Sequence, residues 1–549
     1  MEALVPISAS FEKLRHLFRK PFNEDCRWCQ ELYETGVRIP AQELIQGTLA
    51  GCPACQLLYQ TVDPANLIDP RIELVSVWYF GDYVRTFGDS FVSHIFDPKS
   101  EEMSRRLCHE EGFNKGRWHA GDLIAATATY PPVERCVELF SVQGSTSHWP
   151  LIATAKHVAP TADTPESIEL IKAWLFECEK KHHGCKKPHS ILPDRAVFVG
   201  PRGDPCLVET HGSQGKYIAL SHRWGGHVSL QLKKDSLDDL KRGIPFSRFP
   251  RTFQDAITIC RALGVEHIWI DSICIIQDSK EDWDIQGSKM DQVYANCLLT
   301  IAADAAENGD SGFITNPARE ALKNKTRKIV CTGPKGQVGE FFVRPLRQFG
   351  SRGGFGRHYD SWERGDLEAS QRLTEQGSYL LKRGWVLQET FLPRRILHFL
   401  PDEFSWRCAS ASRCECKVRP HDKKRVVHEP LDLELPREIN TENLKEYWKE
   451  VVEQYTRRKL TFPSDRLVAL AGLASRAHSI NPKVNYYAGL CSDVLPSTLL
   501  WIVDRPVGVE SSECACKRIE PAIAPTWSWA SVTGYARFLF WERNFGRGK

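Results

Sequence analysis

The feature that most constrains this chain is a switch of hydrophobic period, repeated between residues 217 and 303. Residues 217–221 (YIALS) form a short apolar run that predicts a buried strand. Residues 253–263 then place Phe253, Ala256, Ile257, Cys260 and Leu263 on one helical face, with Gly264 as a stop. A second strand is predicted over 265–271 (VEHIWID). A second helix follows over 282–296, with Trp283, Met290, Val293 and Tyr294 on one side, and a third strand over 298–303 (LLTIAA). Strand, helix, strand, helix, strand calls for parallel pairing, because a helical crossover returns the chain to the start of the next parallel strand. The expected core is α/β, a parallel sheet with flanking helices. In open sheets of this kind the groups at the carboxyl ends of the strands meet ligands; here those groups are Ser221 and Asp271.

The 549 residues suffice for two to four domains. Three regions are expected: a mixed, Cys-rich region over 1–195, the α/β core over 207–400, and a mainly helical region over 429–549. The first holds an apolar segment at 72–80, a strand-like 137–142, a polar connector at 159–166 and a helix over 167–180. Within the second, 311–372 is rich in Gly, Arg and Lys and reads as a solvated loop. The third has its clearest helix at 444–457 and ends in the aromatic PTWSWASVTG. Lys plus Arg total 72 and Asp plus Glu 69, a net charge of +3, so no nucleic-acid partner is expected from the field alone. No apolar run approaches ~18 residues, so no membrane partner is expected either. Glu2, Ser8 and Ser10 break the charged-then-apolar pattern of a secretory signal. A cytoplasmic location is therefore expected, and Cys260, Cys274 and Cys297, inside apolar segments, read as reduced core thiols.

The paired cysteines need another account. Cys26-Arg-Trp-Cys29 and Cys52-Pro-Ala-Cys55 are separated by 22 residues. Together they can supply four thiolates to one structural, tetrahedral zinc, with a helix over 41–50 filling the span. The other reading is reduced thiols packed in a small core. Cys178, His182, His183 and Cys185 form another possible partial site, but four ligands so tightly bunched would strain a single metal, and a capped helix end is the better reading. The pairs Cys414/Cys416 and Cys514/Cys516 stay unassigned.

Longer motifs carry a resemblance. YIALSHRWGG (217–226) resembles the opening motif of the fungal heterokaryon-incompatibility (HET) domain family. HIWIDSICIIQDSKEDWDIQGSKMDQVYANCLLTIAA (267–303) resembles its central signature, and RGWVLQETFLPRRILHF (383–399) its third motif. WLFECEKKHHGC before LPDR (174–195), YTRRKLTFPSDRLVALAGLA (455–474), YYAGL (486–490) and APTWSWAS (524–531) resemble flanking segments of the same proteins, in the same order. The resemblance covers most of the chain. It implies a protein of filamentous fungi that acts in non-self recognition and programmed cell death, with protein partners of the incompatibility system and with self-assembly. It also leads to the expectation of a longer carboxyl end than the one that follows the tail motif. The HET core is similar to TIR domains, which are flavodoxin-like, and some TIR domains cleave NAD+ at the nicotinamide–ribose bond with one glutamate.

The TIR pattern places that glutamate four residues after a Trp on a helix, and Trp385 and Glu389 match the spacing. Residues four apart share a helix face. Glu389 is thus the candidate catalytic residue of an NAD+ nucleosidase, with NAD+ as substrate. The bland alternative is a structural Glu tied to an Arg such as Arg383 or to a backbone amide. Ser221, Trp224, Asp271, Arg383 and Trp385 are the candidates for ligand contact, with Gln277 and Asp278 beside them. The polar ones serve equally well as helix caps or loop braces. Trp269 and Trp283 read as core. Cys274, His222 and Asp271 supply the residue types of a cysteine hydrolase, but the apolar neighbours of Cys274 argue for burial instead. Two functions stand side by side: a nucleotide-hydrolysing effector, and a non-enzymatic module that recruits partners through assembly.

Overall fold

A computed structural model describes residues 37–62, 74–79, 91–96, 137–145, 154–185, 191–226, 230–332, 338–345, 378–416, 441–504 and 516–538, and a few shorter stretches between them. The chain divides into two compact units. The first takes the described residues within Met1–Val158, Glu320–Arg357 and Cys416–Val418, and the second the rest. The three sequence regions are thus distributed over two units. No helix among the described residues is long and apolar enough to cross a membrane.

The first unit is built on an antiparallel sheet. Strand β1 (Val37–Pro40) leads into helices α1 (Ala41–Leu49) and α2 (Pro53–Val62), then β2 (Leu74–Tyr79), β3 (Phe91–Phe96) and β4 (Val137–Val142). Two later strands, Arg327–Thr332 and Val338–Pro345, complete the order β1-β2-β3-β4, then 338–345, then 327–332. The expected solvated loop over 311–372 is corrected here. Its early part alternates strictly, with Ile329 and Cys331 buried between exposed Lys328, Val330 and Thr332. That period-2 pattern makes a half-buried strand, and the local wealth of Lys and Gly masks it. Most of 350–377, including most of the GSRGGFGRHYD stretch, lies outside the described residues.

The second unit carries the α/β core. Helix α3 (Pro165–Lys181) starts where Thr164 accepts a hydrogen bond from the Ser167 amide, with Pro165 in its first turn and Lys180 and Lys181 in its last. Strands β5 (Arg195–Phe198), β6 (Cys206–Glu209) and β7 (Tyr217–Ser221) follow, then α4 (Leu237–Arg242), α5 (Arg251–Ala262), β8 (His267–Trp269), α6 (Asp271–Cys274), α7 (Lys280–Ser288), α8 (Met290–Asn296) and β9 (Leu299–Ala302). The chain returns through α9 (Val386–Phe391), β10 (Arg395–Phe399), β11 (Phe404–Cys408) and β12 (Ala411–Cys414). Helices α10 (Thr441–Thr456) and α11 (Asp465–Ile480) and a ribbon of β13 (Trp501–Asp504) with β14 (Tyr535–Phe538) complete it.

The expected parallel pairing is present. Strands β8, β7, β9 and β10 lie side by side in that order and all run the same way. Numbered along the chain, the order is 2-1-3-4. Antiparallel strands extend both edges: β5 and β6 beside β8, and β11 and β12 beside β10. The fold is therefore mixed α/β rather than a purely parallel sheet. The predicted helix over 282–296 is two helices, because Lys289 (φ −100, ψ −2) leaves helical geometry between α7 and α8. The predicted face of α5 is correct: Phe253, Ala256, Ile257 and Cys260 are buried. Asp255, buried on the same helix, accepts from the Phe313 and Ile314 amides at 2.7 and 3.0 Å and pins the segment after β9.

Candidate functional site

Strand order reverses at β7: β8 lies on one side of it and β9 on the other. Open sheets place ligands at the carboxyl ends of strands where such a reversal occurs. Ser221 is the last residue of β7 and pairs across the sheet with Ala302, the last residue of β9. The next residues leave the sheet through Trp224 and Gly225. Gly225 is required there: its φ is +72, and a Cβ would stand 2.9 Å from the Asn308 Cα.

Ser221 donates its hydroxyl hydrogen to Glu389 Oε2 at 2.5 Å. Both side chains are buried, Glu389 being only 3% exposed. Burial pushes the Glu389 carboxyl up to about 7. The Arg383 guanidinium and the Ser221 hydrogen bond pull against that rise, and the negative Asp271 adds to it. Glu389 therefore changes protonation near neutrality, the range in which a general acid or base works best. Arg383 is fixed by donating to the His222 carbonyl. Buried His222 is held near 4 by desolvation, despite Asp271 Oδ1 at 3.7 Å from its Nε2.

Asp271 opens α6 just beyond β8. Its Oδ2 accepts from the Trp224 indole at 3.0 Å, and its Oδ1 from the Ser272 amide at 2.7 Å. The structure thus gathers Ser221, Trp224, Asp271, Arg383 and Glu389 at one sheet edge. Trp385 is the N-cap residue just before α9, but its indole donates to Asp465 at 3.0 Å and its ring meets Trp283 edge-on. Gln277 braces its own loop by donating to the Asp271 and Ile275 carbonyls. Asp278 accepts from the Lys234 amide at the surface. Trp269 is buried against Tyr294. Cys274 is buried and its thiol is pushed up to about 12 by desolvation, which makes it a core thiol and not a nucleophile.

A further polar cluster escaped the sequence reading. Asp304, just beyond β9, accepts from Ser378 Oγ at 2.6 Å and lies 2.8 Å from His398 Nδ1 on β10, and all three are buried. The carboxyl-edge argument that singled out Ser221 and Asp271 applies equally to Asp304, which directly follows the predicted third strand.

For a metal, the expected set of Cys26, Cys29, Cys52 and Cys55 is half visible. Cys26 and Cys29 lie outside the described residues. Cys52 and Cys55 are buried where α1 turns into α2, and Cys55 Sγ would stand 2.5 Å from a Cβ on Gly47. A different set can hold a metal ion: the ligand atoms of Cys178, His182, Cys185 and Cys408 all lie within 4.8 Å of one another. The reading of 178–185 as a capped helix end missed its fourth member, which comes from β11, 226 residues beyond His182.

No curated protein matches the chain, and no solved structure does. Residues 217–389 match the family model described as Heterokaryon incompatibility protein (HET). The match begins with the first residue of β7 and ends with Glu389, so it spans the strand-order reversal and the carboxyl group facing it. The chain is a HET domain-containing protein, with a role related to heterokaryon incompatibility.

Proposed function

We propose that this protein is a death effector of non-self recognition that hydrolyses NAD+ at the nicotinamide–ribose bond, with Glu389 as the catalytic carboxylate. The observation that carries the reading is the buried Glu389–Ser221 pair beside the strand-order reversal. The strand order 2-1-3-4 is that of flavodoxin-like sheets, which bind their ligand at the same reversal. In the reaction the C1′–N bond breaks and its electron pair leaves with nicotinamide. Water forms the new bond at C1′, and its proton passes to Glu389 and on to solvent. The products are ADP-ribose, nicotinamide and a proton. The Glu389 carboxylate stabilises the oxocarbenium-like centre, by the electrostatic logic of glycoside hydrolysis. Ser221 orients the carboxylate, and Arg383 offers positive charge to the pyrophosphate. Protein partners or self-assembly switch the activity on.

The test is nicotinamide release from NAD+ by the full chain, with and without forced clustering. Glu389→Gln is expected to lower the rate by about 10²-fold or more, and the wild-type rate to climb through pH 7 as Glu389 ionises. Release that survives the substitution sinks Glu389 as the catalyst. The second reading, an assembly module without chemistry, draws on the depth at which Glu389 is buried. It gains if no nicotinamide appears even from clustered protein.

A further inference from the structure

We propose that Cys178, His182, Cys185 and Cys408 form a closed structural zinc site that fastens the end of α3 to the hairpin of β11 and β12. The ligand geometry comes first. A tetrahedral zinc with Zn–S of about 2.3 Å and Zn–N of about 2.0 Å sets sulfur and nitrogen about 3.5 Å apart and sulfur and sulfur about 3.8 Å apart, close to the separations found here. Cys408 Sγ lies 3.3 Å from His182 Nδ1, and the whole set fits within 4.8 Å. Local backbone explains how three ligands from eight consecutive residues reach one point. Cys178 sits in the last part of α3, His182 ends the helix with φ −95 and ψ 96, and a single 3-10 turn over His183–Cys185 brings Cys185 back. The Cys185 amide donates to the His182 carbonyl at 3.0 Å and locks that turn. His183 is left out of the cluster.

The surroundings suit thiolates. Zinc with three thiolates carries a net negative charge, and Arg395 supplies the opposite one. Its Nε donates to Cys178 Sγ at 3.2 Å, while its other nitrogens are fixed on the Cys185 and Leu298 carbonyls. Such outer contacts fix metal ligands in place. All three cysteines are buried, and the four ligands complete a tetrahedron with no position left for substrate, so the site is structural. Its effect is to join two segments 226 residues apart in sequence, and binding energy at such a site is folding energy.

The test is zinc per chain in the full-length protein, by mass spectrometry of the metal. Cys408→Ser is expected to lose one zinc relative to wild type, and Cys516→Ser, at an exposed thiol outside both cysteine sets, to keep it. His182→Cys keeps the metal, and its cobalt-substituted form gains about one third in thiolate-to-metal absorption over the wild-type site, as three sulfur ligands become four. Equal zinc in wild type and Cys408→Ser overturns the proposal, and so does a native disulfide among Cys178, Cys185 and Cys408. Should Cys408→Ser fail to fold, the cobalt comparison decides: an unchanged thiolate band in His182→Cys overturns it.

Discussion

A carboxyl group buried as deeply as Glu389 shifts the stability of the whole unit with pH. It is raised from 4.5 to about 7 in the folded chain. Between those values the native state binds more protons than the unfolded one, so its contribution is fully present below about 4.5 and is lost as pH rises through 7. At 1.36 kcal/mol per pH unit, the loss is on the order of 3 kcal/mol above pH 8. Glu389→Gln keeps the shape, can still accept from Ser221, and cannot ionise. It is expected to be more stable than wild type at pH 8 by about 1–3 kcal/mol, with the advantage fading toward pH 4.5. Urea midpoints at three pH values measure this, and a difference constant across pH defeats it. His222 has the opposite sign: lowered to about 4, it contributes above its unfolded value of 6.5 and is lost as pH falls through 4. That term is common to both proteins and cancels in the comparison. At this scale the carboxyl-edge residues were legible because strand ends are local features. Cys408 was not, because nothing near it in sequence marks its partners.

Elements were legible where period and punctuation agreed. YIALS is a strand over the same five residues that were predicted, with every one of them buried, and α5 shows the predicted apolar face. The break at Lys289 was hidden because the apolar spacing runs on across it. What sequence could not supply is which helices cover the HET core. Helix α11, from the carboxyl-terminal region, does so by close approach at Gly472. A Cβ there would stand 2.3 Å from Gln388 Oε1 on α9 and 2.6 Å from the Asp291 Cβ on α8. Asp465 and the Val468 carbonyl on α11 also receive the Trp385 indole and the Gln388 amide. In an open helix Gly→Ala gains about 1 kcal/mol. Here overpacking governs, and Gly472→Ala is expected to cost about 1–3 kcal/mol, read as a fall in thermal midpoint. A rise in the midpoint means that α11 does not approach α8 and α9 as closely as described.

At the scale of the molecule, the match to the HET family and the sheet do not share boundaries. In the order 421–422, then β12-β11-β10-β9-β7-β8-β5-β6, residues 217–389 contribute only three adjacent strands, β9, β7 and β8. Ending at 389 strips β9 of β10 and leaves an unpaired parallel edge. Starting at 217 removes β5 and β6 from beyond β8. The same core cluster also holds Leu397, Phe399, Phe404, Trp406, Trp448, Val451, Leu470 and Leu473, all beyond 389. At about 1.5–3 kcal/mol for each large apolar side chain, their loss is on the order of 10–20 kcal/mol, against a typical net stability of about 5–15 kcal/mol. Residues 217–389 expressed alone are therefore expected to lack a cooperative thermal transition and fixed near-ultraviolet circular dichroism, while the full chain shows both. Cooperative unfolding of that segment would mean that the HET core folds without the strands and helices that flank it here.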